Sequence, residues 1–131
     1  MPRDDLPDAY RRYIACLNDR ALDRLDEFVH AQVEYNGSFI GLAGYRRARE
    51  RDFLEIPDLR FNIRMLVAEG LVVAARLIFD CAPAGRFLDL DINGRRVTFS
   101  ENVFYEYEAG KIRRVWSVVD KAAIEAQLAV L

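Results

Sequence analysis

A chain of 131 residues, 52% hydrophobic and 31% charged, has the composition of a folded globular protein and is of a length to bury roughly two-thirds of the surface its unfolded form exposes. Its formal net charge of -2 supplies no field that would draw in nucleic acid, and the paired arginines at 11–12, 46–47, 95–96 and 113–114 have acidic neighbours and read as mixed-charge surface. Cys16 and Cys81 occupy apolar stripes, where cysteine acts as a small hydrophobe, so neither a disulfide framework nor a cysteine metal site is expected.

The opening Met-Pro-Arg-Asp-Asp-Leu-Pro-Asp has no apolar leader region, and no stretch reaches the about 18 apolar residues of a membrane span. The expectation is a single cytoplasmic domain over residues 1–131, with no membrane or nucleic-acid partner.

Asp5 or Pro7 starts a helix that runs to about Asn18, with Leu6, Tyr10, Tyr13, Ile14 and Leu17 forming one stripe. A second short helix fits Ala21 to Val29, with Leu22, Leu25, Phe28 and Val29 inward. Val33 to Asn36 alternates as a strand, and Gly37, Gly41 and Gly44 then break the chain around Phe39-Ile40. A highly charged helix over about Tyr45 to Glu55 must be surface on most sides, and Pro57 ends it.

Beyond Pro57 nearly everything reads as strand. Leu59 to Val67 alternates, which puts Phe61, Ile63, Met65 and Val67 on one face. Glu69-Gly70 turns into Leu71 to Cys81, a run too apolar to leave either face wet. A loop around Ala82 to Gly85 and a short segment from Phe87 to Ile92 follow, and Asn93-Gly94 is a hairpin signal. Arg96 to Tyr107 is a long strand, Ala109-Gly110 turns into Ile112 to Val119, and Lys121 to Val130 closes as a helix striped by Ile124, Leu128 and Leu131. Helices, then strands, then a helix make an α+β fold: a curved antiparallel sheet wrapped around N-terminal helices, with a hollow on its concave side.

The last hairpin decides which side chains meet that hollow. A two-residue turn at Ala109-Gly110 pairs Tyr107 with Ile112, Tyr105 with Arg114, Val103 with Trp116, Glu101 with Val118 and Phe99 with Asp120. Facing residues share a sheet face, so Phe99, Glu101, Val103, Tyr105, Trp116, Val118 and Asp120 are expected to look inward. A one-residue bulge in the hairpin would shift that assignment by one. Phe104, Val115 and Val119 then fall on the other face, among Thr98, Ser100 and Asn102, and suggest a homodimer contact.

Burial would raise the pKa of Asp120 toward the range useful for proton transfer near neutral pH, while its place just before a helix equally suits a helix cap. Arg76, in an otherwise apolar strand, is either a substrate contact or the ion-pair partner of Glu101. Asn36 is a turn former or a ligand contact, and His30 sits at a helix-to-strand junction. Trp116, Tyr105, Phe99, Phe61 and Tyr13 are apolar wall or core, and their number points to a hydrophobic ligand. His30, Asp26 and Glu27 lack metal-ligand geometry, and no stripe suggests a cofactor.

The stretch from Gly110 to Lys121 with Ala126-Gln127-Leu128, the Leu25 to His30 stretch, Phe53 through Leu59 and Val67 to Arg76 together resemble the SnoaL-like polyketide cyclase family, within the nuclear transport factor 2-like superfamily. The resemblance spans roughly residues 8 to 130. It implies a cone-shaped α+β barrel with its pocket under the helices, a dimer or higher oligomer, and an aspartate at the end of the last strand as acid/base of an intramolecular aldol closure. Asp120 matches that position, whereas the histidine such enzymes carry two residues earlier is Val118 here.

The expected function is a cofactor-independent cyclase, isomerase or dehydratase acting on a hydrophobic carbonyl or polyketide-like small molecule. Asp120 and Arg76 are its candidate catalytic groups, and Trp116, Tyr105, Glu101, Asn36, Val118, Phe99 and Tyr13 its candidate substrate contacts. A non-catalytic ligand-binding or dimerisation domain is the alternative on the same scaffold.

Overall fold

In the first helix, α1 (Leu6–Asn18), the predicted stripe is the observed one: Leu6, Tyr10, Tyr13, Ile14 and Leu17 are all buried, and Asp5 caps the first turn by accepting from the Asp8 N–H. The computed structural model describes residues 5–130, so Met1 to Asp4 of the N-terminal stretch and Leu131 of the last stripe lie outside the described residues.

The second predicted helix is a 3-10 segment over Leu22–Glu27, and the first strand, β1 (Val29–Tyr35), already begins at Val29. Asn36 and Gly37, at φ 48° and 84°, make the left-handed turn into β2 (Ser38–Phe39). Helix α2 (Gly41–Glu55) contains Gly41 and Gly44 instead of being preceded by them. At Gly44 the absence of a side chain admits Ile40, whose Cβ would stand only 3.1 Å from an added Cβ.

The remaining elements are β3 (Asn62–Glu69), β4 (Val72–Cys81), β5 (Arg86–Phe87), β6 (Leu90–Asp91), β7 (Val97–Glu108), β8 (Lys111–Val119) and α3 (Lys121–Leu128). The main sheet has the order β2-β1-β8-β7-β4-β3. Its pairs are antiparallel except β1 with β8, so the curved sheet of this α+β fold is mixed. The Asn93-Gly94 signal is a left-handed turn without flanking partners, and the small hairpin closes instead at Leu88-Asp89, between β5 and β6.

Strand β4 alternates cleanly, with Val73, Ala75, Leu77, Phe79 and Cys81 inward, and does not bury both faces. Two other strands carry a register slip. In β3 the slip falls between Ile63 and Met65, which turns Met65 and Val67 outward at 62% and 63% exposure. In β8 it falls between Ile112 and Arg114, so that Tyr105 faces Val115, Phe104 faces Trp116 and Glu101 faces Val119. Each inserted residue is an arginine, Arg64 and Arg113. The guanidinium of Arg113 reaches across to β1, donating to the Gln32 carbonyl at 2.7 Å and to Glu34 at 3.0 Å.

Three side-chain amides grip the main chain where the described strands leave it unpaired. Asn18 accepts from the Phe61 N–H at 2.8 Å and donates to the Phe61 carbonyl at 3.0 Å. Asn36 does the same to Ser117 at 2.8 and 3.4 Å, and Gln127 to Thr98 at 2.8 and 2.6 Å. Each amide thus supplies the donor and the acceptor that a neighbouring strand would supply.

Candidate active site

Helices α1 and α2 and the concave face of the sheet enclose a cavity of about 210 Å³. Its far wall is apolar: Phe79 meets Phe61 edge to face and Phe99 at a tilt, at centroid distances of 5.4 and 5.2 Å, joined by Leu77 and Val103. Its other end is polar and is built mainly from α2. Tyr45, Arg49, Asp52 and Ile56 follow at helical spacing, so one face of a highly charged helix points inward and carries an ion pair into the cavity wall.

Arg49 donates from Nε to Asp52 at 2.8 Å, and its guanidinium lies over the Tyr45 and Tyr35 rings at 4.8 and 5.7 Å. The Tyr13 and Tyr45 hydroxyls are 2.5 Å apart, and those of Tyr10 and Tyr105 are 3.1 Å apart. Burial holds the hydroxyls of Tyr13, Tyr45 and Tyr105 above the ordinary tyrosine range. All three are therefore neutral hydrogen-bonding groups at any ordinary pH.

Glu101, on β7, is a second carboxyl, beside Asp52, at this end of the cavity. Burial pushes its pKa upward, against the Ser117 hydroxyl that donates to its Oε2 and the nearby positive charge of Arg49, both of which favour the ionised form. The negative charge of Asp52 adds to the upward push. A carboxyl so placed changes protonation state closer to neutrality than a free glutamate, beside a guanidinium able to meet developing negative charge.

The slip at Arg113 sorts the sequence-expected site residues into two groups. Tyr13, Phe99, Glu101 and Tyr105 line the cavity. Trp116, Val118 and Asp120 do not: beyond the bulge β8 shows its other face inward, so Val115 and Val119 reach the cavity, and the hydroxyl of Ser117 meets Glu101. Trp116 and Val118 are 43% and 70% exposed on the outer face. Val115 and Val119, expected in an outer contact, are cavity residues instead.

Asp120 is exposed and caps α3, accepting from the Ala123 N–H at 3.1 Å. Arg76 alternates with inward-facing Ala75 and Leu77, so it lies on the outer face, where it donates to Asn102 at 3.2 Å and makes no ion pair with Glu101. Asn36 is the turn residue that holds Ser117. His30 belongs to β1, and its two ring nitrogens face the Gln32 N–H at 2.9 Å and Glu108 at 3.4 Å, away from the cavity.

The residues that sequence reasoning missed are Arg49, Asp52, Tyr45 and Ser117. Their signal was present: Tyr45, Arg49, Asp52 and Ile56 repeat at the period that marks the inward face of a helix. Among the described residues, no group of three or more His, Cys, Asp or Glu side chains is placed to hold a metal ion, and no helix is long and apolar enough to cross a membrane.

A comparison with curated proteins finds no match. Among solved structures, a SnoaL-like polyketide cyclase from Agrobacterium tumefaciens strain C58 is 53% identical over 97% of this chain and 100% of its own, with a TM-score of 0.95. TsrD from Streptomyces laurentii (24% identity, 100% of this chain and 99% of its own, TM-score 0.84) and IdmH from Streptomyces antibioticus (18%, 97% and 100%, 0.83) share the fold. The family model for SnoaL-like polyketide cyclases matches residues 7–128. The chain therefore belongs to the SnoaL-like polyketide cyclase family, whose name suggests a cyclase-like role.

Proposed function

We propose that the chain is a cofactor-independent acid–base enzyme, a cyclase, isomerase or dehydratase, that acts on a hydrophobic carbonyl compound, with Glu101 as the group that moves the proton. The observation that carries this reading is a carboxyl set in the wall of an aromatic cavity, its proton affinity raised by burial, with Arg49 beside it. Glu101 takes an α-proton from the substrate or returns one to it, and the guanidinium and the neutral tyrosine hydroxyls meet the enolate oxygen. Asp120, which the family resemblance nominates, is better accounted for by its capping bond to Ala123.

The test is exchange of solvent deuterium into a small aryl 1,3-dicarbonyl, followed by NMR. Glu101→Gln should lower the enzyme-dependent rate at least about a hundredfold, and Asp120→Asn should leave it within about threefold. Full exchange by Glu101→Gln would remove Glu101 from the chemistry, and no enzyme-dependent exchange by the unmutated protein would favour the non-catalytic ligand-binding alternative.

A homodimer is part of the same reading, and one observation favours it. On the outer sheet face Val67, Ala74, Phe104 and Trp116 pair successively across four strands, and Val118 flanks them, leaving an uncovered apolar row. A second copy laid on this face buries the row on both partners. The free thiols of Cys16 and Cys81 suit a reducing compartment such as the cytoplasm.

A further inference from the structure

Arg49 has one carboxylate partner, Asp52, and the Tyr45 hydroxyl beside it. Its Nε serves Asp52, and among the described residues no carboxylate or carbonyl accepts from its two Nη groups. The side chain is 13% exposed and lines the cavity. The open edge of a guanidinium presents two parallel donors at the spacing of two carboxylate oxygens. A buried arginine at the polar end of an aromatic cavity, with no carboxylate on that edge, is a socket for a planar anion.

Resting on the reading of Glu101 as proton carrier, we propose that the substrate is a small planar carbonyl compound that carries a carboxylate. Arg49 grips the carboxylate, which leaves the enolate oxygen to the tyrosine hydroxyls; Phe61, Phe79 and Phe99 hold the ring, and Glu101 enters the complex protonated, as the group that gives a proton to the substrate. The cavity, at about 210 Å³, falls below the roughly 300–1,000 Å³ of drug-sized pockets, which favours one or two rings over a long chain.

Charge accounting gives this proposal a second signature. Asp52 already neutralises Arg49, so an arriving carboxylate adds an uncompensated negative charge beside Glu101. Two carboxyl groups in one water-poor site do not both ionise cheaply. The groups around Glu101 are Arg49, Asp52 and Tyr45 from α2, Tyr10 and Tyr13 from α1, Tyr35 from β1, Tyr105 on its own strand and Ser117 from β8. Arg49 keeps its proton throughout, so Glu101 is the group that takes one up when the anion binds.

The experiment is calorimetric titration of the full chain with 2-naphthoate and with neutral 2-naphthamide, from about pH 5 to about pH 9, in buffers of different ionisation enthalpy. Naphthoate should bind at least about tenfold tighter than the amide at the acid end. Above the pH at which Glu101 ionises in the free protein, its affinity should fall about tenfold per pH unit, with uptake of one proton. Glu101→Gln should keep naphthoate binding and lose the pH dependence.

Arg49→Met should bring naphthoate down to the level of the amide. If that variant does not fold, Arg49→Lys, which keeps the charge but loses the fork, should still weaken naphthoate at least about tenfold. Equal affinity for acid and amide, or undiminished naphthoate binding by the folded Arg49 variant, overturns the carboxylate socket. A pH-independent affinity in the unmutated protein overturns the protonation of Glu101 in the complex. Because these readouts are binding and proton uptake, they stand or fall apart from the deuterium-exchange test of Glu101.

Discussion

Ser117 donates its hydroxyl to the carboxylate of Glu101 although its direct partner across the β7–β8 ladder is Val103. The bond exists because the inserted Arg113 turns Ser117 inward, and the amide of Asn36 fixes the Ser117 main chain. It favours the ionised carboxylate, so it moderates the upward push of burial. Ser117→Ala should move the Glu101 titration further upward, read by carbon NMR of the glutamate carboxyls. An unchanged titration would mean that the hydroxyl does not act on the carboxyl in solution.

Glu101 also links stability to pH. Its proton affinity is higher in the folded than in the unfolded chain, so its favourable contribution is complete below the ordinary glutamate range and is lost as pH rises through the raised folded value. Each tenfold difference in proton affinity between the two states corresponds to about 1.4 kcal/mol. Glu101→Gln should remove that part of the decline and raise Tm at alkaline pH relative to the unmutated protein, as read by thermal denaturation. A decline of unchanged steepness would place its cause elsewhere.

Asn36 has two separable duties, the left-handed turn at φ 48° and the grip on Ser117. Asn36→Gly should keep the turn and lose the grip, at about 1–2 kcal/mol, while Asn36→Ala should lose both and cost more. Urea denaturation of the two variants separates the duties; equal losses would show that the turn contributes nothing measurable.

Trp116, the single tryptophan, reports on the outer face of the sheet. Trp116→Glu should leave the far-ultraviolet circular dichroism unchanged and convert the proposed dimer to monomer by light scattering. In the unmutated protein, tryptophan emission should shift to the red on dilution. A monomer at every concentration before mutation would remove the dimer.

The fold was legible wherever one period ran without interruption. The α1 stripe and the turn at Ala109-Gly110 could be read directly, because helical spacing and left-handed turn residues are local signals. The inward face of β8 was not legible beyond Ile112, because an alternation counted straight through has no means of registering one inserted residue. The hydrogen-bond partners of Arg113, Gln32 and Glu34, stand on β1, far away in sequence, so the contacts that fix the insertion cannot be read locally. That single residue moved Asp120 and Trp116 out of the candidate site and brought Ser117 and Val119 toward it. Arg49 and Asp52 were obscured differently: in a helix so rich in charge, the two charged residues on the buried face look like the rest.

The amides of Asn18, Asn36 and Gln127 have a consequence beyond the few hydrogen bonds that they contribute. A stretch of strand with free N–H and carbonyl groups is a template on which a foreign chain can lay itself down, the first step toward fibrous aggregates. At Phe61, Ser117 and Thr98 that template is filled in advance by a side chain from the same molecule. At these three places a second strand would meet donors and acceptors that are already occupied.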